Sequence, residues 1–92
     1  MSDTLTAVRP YQLTISYTDP ETGLWKTTIR SAWPDAKEEI ILDASEADDA
    51  GHGRRVHVLY GKGGEATFDL DEHGLARLLN AADRAHADVM AG

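Results

Sequence analysis

A chain of 92 residues with a formal net charge of −7, 41% apolar residues and no cysteine has room for one domain with one compact core. It has no disulfide to staple that core and no thiolate to act as nucleophile or ligand. The charge disfavours nucleic acid, which is held by a basic face that displaces counterions, and equally a membrane surface, which attracts polybasic segments. No apolar run reaches the length of a membrane span and Met1–Pro10 lacks the apolar segment of a signal peptide, so a cytoplasmic protein is expected.

Met1–Arg9 is polar and aperiodic and reads as a disordered tail, leaving residues 10–92 as a single domain. Tyr11, Leu13, Ile15 and Tyr17 alternate with Gln12, Thr14, Ser16 and Thr18, the pattern of a half-buried strand. Asp19-Pro20-Glu21-Thr22-Gly23 is a turn, and a second strand follows with Trp25, Thr27, Ile29 and Trp33 on one face, so the pair predicts a β-hairpin that Pro34 ends. Ile40, Ile41 and Leu42 are consecutive and rich in β-branching; a helix from Asp35 onward would spread them over different faces, and a strand is predicted instead. Ser45–Gly51 predicts one helical turn, with Ser45 as its N-cap and Gly51 as its stop.

Arg54–Tyr60 alternates again, with Val56, Val58 and Tyr60 on one face. Gly61-Lys62-Gly63-Gly64 is a tight connection, and Glu65–Leu70 is the returning strand, with Ala66, Phe68 and Leu70 inward. A helix begins at Asp71, its N-cap, with Leu70 and Leu75 at the spacing of a hydrophobic staple and Glu72 in the first turn. Its apolar stripe runs through Leu75, Leu78, Leu79, Ala82, Ala85, His86 and Val89, with Arg77, Asn80, Arg84 and Asp88 opposite. The expected fold is α+β: an antiparallel sheet of four to five strands with one C-terminal amphipathic helix packed on one face.

Few residue groups suggest chemistry. The Gly61–Gly64 loop has a phosphate-cradling composition, but it lacks Walker spacing and joins two strands, so a plain hairpin turn is the favoured reading. His52 with Asp48 and Asp49 is the best metal candidate among the four histidines; a catalytic zinc wants three rigid ligands, and two of these sit on a loop, so no metal and no cofactor are expected. His86 interrupts the helix stripe and is read as a partly buried histidine bonded to a backbone carbonyl, not as a general base, since no nucleophile pairs with it in a motif. Tyr11, Tyr17, Trp25 and Trp33 are assigned to core and rim, Trp33 being the one placed to anchor an interface if exposed.

The acidity is local. Between Asp35 and Asp49 stand Asp35, Glu38, Glu39, Asp43, Glu46, Asp48 and Asp49 against Lys37 alone, a net −6, while the remainder carries −1. A solvated face is the commoner explanation of such a run. A surface that docks onto a basic groove is the functional one, with Trp33 and those seven acids as its residues. On that basis the chain is expected to be a non-enzymatic module that binds a larger protein with a basic surface. In type it resembles toxin-immunity proteins and phage-encoded, anti-CRISPR-like inhibitors of nucleic-acid-handling enzymes, though it matches no family motif. Two alternatives stay open: a small-molecule or nucleotide sensor using His57, Lys62 and Arg55, and a homodimeric module pairing through a sheet edge.

Overall fold

The computed structural model describes residues 9–92, so the tail assignment falls, apart from Arg9, outside the described residues. The elements follow as β1 (Tyr11–Thr18), β2 (Trp25–Ala32), α1 (Pro34–Ala47), β3 (Arg54–Tyr60), β4 (Gly64–Leu70) and α2 (Glu72–Ala91). Both hairpins form. In the first turn the Asp19 carboxylate accepts from the Glu21 amide at 2.9 Å and the Asp19 carbonyl from the Gly23 amide at 2.7 Å. The four strands lie in the order β2-β1-β3-β4, all neighbours antiparallel.

That order explains α1. β2 and β3 flank β1, which is antiparallel to both, so they run in the same direction with a strand between them. Such a pair needs a long crossover, and a helix is its usual form. The strand predicted over Ile40–Leu42 is therefore corrected: those residues lie in the middle of a 14-residue helix. Pro34 at its first position and Ala36, Lys37, Glu38, Glu39, Ala44, Glu46 and Ala47 favour helix enough to outweigh two isoleucines. The separate helical turn predicted to start at Ser45 is corrected too, since Ser45 belongs to the last turn of α1, which ends at Ala47.

Both helices cover one face of the sheet. Leu13, Ile15, Tyr17, Ala32, Val56, Val58, Phe68 and Leu70 point into the core from the strands, Ile40 and Ala44 from α1, and Leu75, Leu78, Ala82 and Ala85 from α2. Each fully buried Leu, Ile or Val side chain contributes about 1.5–3 kcal/mol of apolar transfer. α2 begins as predicted, with the Asp71 carboxylate accepting from the Gly74 amide at 2.8 Å. Its predicted stripe faces the sheet, and Arg77, Asn80, Arg84 and Asp88 face solvent. No helix among the described residues is long and apolar enough to cross a membrane.

The far face of the sheet carries no layer among the described residues. The register Thr18↔Trp25 and Thr14↔Ile29 puts Trp25, Thr27 and Ile29 on the side of Thr14, Ser16 and Thr18, away from Leu13 and Ile15. Trp25 and Ile29 are accordingly 61% and 53% exposed, which corrects the assignment of Trp25 to core or rim. β2 is an edge strand, and α2 closes part of that edge: the Ser31 amide donates to His86 Nδ1 at 3.0 Å, and Arg30 pairs with Asp83 at 2.6 Å. His86 thus accepts from an amide, whereas the sequence suggests a bond to a carbonyl.

Candidate functional site

Five of the predicted docking residues ride on α1. Asp35, Glu38, Glu39 and Glu46 recur at helical spacing and, with Leu42, share the face opposite the buried Ile40 and Ala44. All four carboxylates are exposed, and Leu42 at the centre of the stripe is 61% exposed. Among the described residues no base forms an ion pair with any of the four. Lys37, the base within the window, turns to the other side, over the rings of Tyr11 and Tyr60.

The remaining acids have other partners. Asp43 pairs with Arg77 of α2 and ties the two helices together. Asp48 follows the helix, and its carboxylate accepts from the amides of Ala50 at 3.1 Å and Asp69 at 3.0 Å. The Asp49 amide donates to the Asp69 carbonyl at 2.7 Å, and Asp69 in turn accepts from the Gly51 amide at 3.1 Å. These bonds staple the α1–β3 connection to β4. Trp33 is half-buried at the N-cap of α1, without a side-chain capping bond. The stripe borders a groove between α1 and α2 lined by Ile40, Ala81 and Ala85, with Arg84 and the acids Glu39, Asp43, Glu46 and Asp88 also on its walls.

The other candidates are dispersed. Among the described residues no three His, Asp or Glu side chains come together as a metal-holding group, His52 with Asp48 and Asp49 included. Arg55 and His57 alternate with the buried Val56 and Val58 and so lie on the open sheet face, His57 within 3.5 Å of Glu65. Lys62 lines a cleft on the opposite, helix-covered side with Arg9, Tyr11, Lys37 and Tyr60. The trio His57, Lys62 and Arg55 does not converge.

Sequence reasoning missed Leu42 and Lys37. Both follow from one helical wheel over residues 34–47, which places Leu42 among carboxylates and Lys37 on the side of Ala44. Comparison with known proteins gives no family model, no curated protein and no solved structure that matches this chain.

Proposed function

We propose that the chain is a non-enzymatic protein-binding module that docks the outer face of α1 onto a basic surface of a larger protein, and that this partner is an enzyme handling nucleic acid. One observation carries the reading: four exposed carboxylates, unpaired by any described base, surround an exposed leucine on the outer face of α1. Asp35 in the first turn suits the helix dipole, while its repulsion with Glu39 at i,i+4 and the place of Glu46 in a last turn that has no base each disfavour the helix by roughly 0.2–1 kcal/mol. The stripe concentrates a negative field, which steers encounter with a basic groove, while Leu42 supplies a desolvated centre. A groove built for phosphates is the surface such a stripe complements, and occupying it would inhibit the enzyme.

The test uses the full chain and a variant carrying Asp35→Asn, Glu38→Gln, Glu39→Gln and Glu46→Gln, with folding checked by circular dichroism. For a nucleic-acid enzyme captured on the immobilised wild type, the variant is expected to weaken Kd by roughly tenfold or more, with added salt acting in the same direction. Nucleic acid should displace the chain. A partner that binds the variant and the wild type equally, at low and high salt alike, sinks the reading.

A further inference from the structure

At the end of the sheet below the start of α1, the chain gathers cations, and among the described residues no carboxylate lines the cleft with them. Its lining contains Arg9, ahead of β1, Lys37, on the first turns of α1, and Lys62, in the turn between β3 and β4. A protein with 16 acids and nine Lys or Arg residues thus brings three of its bases, from three separate segments, to one concavity that no acid among the described residues lines. The cleft measures ≈ 760 Å³, within the range of about 300–1,000 Å³ of small-ligand sites.

The floor of the cleft is built by close packing. Tyr11 and Tyr60 lie at the same end of neighbouring strands, and the Lys37 ammonium stands 4.7 Å from the ring centre of one and 5.2 Å from that of the other. Both distances lie within cation–π range, so the two rings hold the ammonium in place at the cleft. The glycine turn packs on the same rings. A Cβ on Gly61, which has φ +62°, would come within 2.6 Å of the Tyr11 ring, and one on Gly64 would strike the carbonyl and ring of Tyr60. Turn chemistry alone asks for glycine at positive φ; here Gly61 and Gly64 are also what lets the turn close onto the tyrosines and bring Lys62 to the rim.

We infer that this cleft binds a small ligand through a di- or triphosphate group, with Arg9, Lys37 and Lys62 as its cationic contacts. Three cationic residues lining one cleft match a ligand with several negative charges on neighbouring phosphates better than a single carboxylate. Lys37 already covers the ring faces, so the phosphates and not a stacked base are what the site recognises. A nucleic-acid strand would carry its phosphates past the cleft onto the acidic remainder of the surface, where a compact ligand stays within reach of the cations. The inference does not depend on the docking role of α1, whose exposed carboxylates take no part in the cleft.

The experiment is a titration of the full chain with sodium pyrophosphate, followed by amide chemical shifts and by calorimetry, with sodium sulfate at matched ionic strength as the control. Saturable binding is expected, with shifts confined to the Gly61–Gly64 turn, Tyr11 and the start of α1. ATP should compete for the same amides, because the recognised group is common to both. Lys37→Met and Lys62→Glu should each weaken binding by roughly tenfold or more, the scale of one charge-assisted hydrogen bond. Lys62 is exposed in a turn, so its substitution leaves the fold intact and a dispersed spectrum verifies this. No saturable response to pyrophosphate, an equal response to sulfate, or undiminished binding by Lys62→Glu would overturn the assignment.

Discussion

Ile40 and Leu42 stand two positions apart on one helix, 5% and 61% exposed. Truncating Ile40 to alanine opens a cavity and is expected to cost about 2–5 kcal/mol, whereas Leu42→Ala should stay within about 0.5 kcal/mol. Urea unfolding of the two variants checks this, and equal losses would mean that Leu42 is packed. At the start of α2, Asp71→Ala removes an N-cap acceptor and should lower stability by about 1 kcal/mol with an unchanged m-value. His86 shows how one side chain serves an edge: His86→Ala strips the Ser31 amide of its acceptor and should cost roughly 1 kcal/mol. Hydrogen exchange at Ser31 should then accelerate more than at Arg30 or Ala32; uniform acceleration along β2 would contradict a local role for the imidazole.

At the scale of the element, α1 is where sequence reading and structure part. A helix does spread Ile40, Ile41 and Leu42 over different faces, but that spacing excludes a helix only where every large apolar residue is buried, and Leu42 stays exposed. β1, β3, β4 and α2 were legible because each buries one clean stripe with turn or cap residues at its ends. The inward side of β2 was not, because its core-facing positions hold Thr28, Arg30 and Ala32 while its large residues face out, and only the register with β1 reveals this. Of the candidate site, the acids were legible as a cluster, but their division was not: tertiary bonds place Asp43 against Arg77 and Asp48 against the amide of Asp69, leaving Asp35, Glu38, Glu39 and Glu46 as the stripe that no base among the described residues pairs. Neutralising Glu39 by Glu39→Gln should stabilise the fold by roughly 0.2–0.5 kcal/mol at low salt, and the gain should fade as salt screens the Asp35 contact. A loss of stability at low salt would show that the stripe is paired in solution.

Over the whole molecule, charge is segregated: a negative stripe on the outer face of α1 and a cluster of cations in the cleft beside its first turns. Self-repulsion within the stripe opposes the compact state, so Tm should rise by a few degrees between about 10 mM and 150 mM sodium chloride, as the Debye length shortens from about 30 to 8 Å. The two binding readings separate cleanly at this scale, since loss of the stripe should leave pyrophosphate binding intact and Lys62→Glu should leave partner binding intact. The strand order has a kinetic consequence as well. Each hairpin closes over a short turn, but β1 cannot meet β3 until the chain has passed through β2 and α1. The slow step of folding is then the docking of two preformed hairpins, with loop-closure entropy spent on the β1–β3 seam before its contacts repay it. Substitutions of Ile15 and Val58, which face each other across that seam, should slow refolding, while those in the distal turn at Glu21 and Thr22 should leave its rate unchanged.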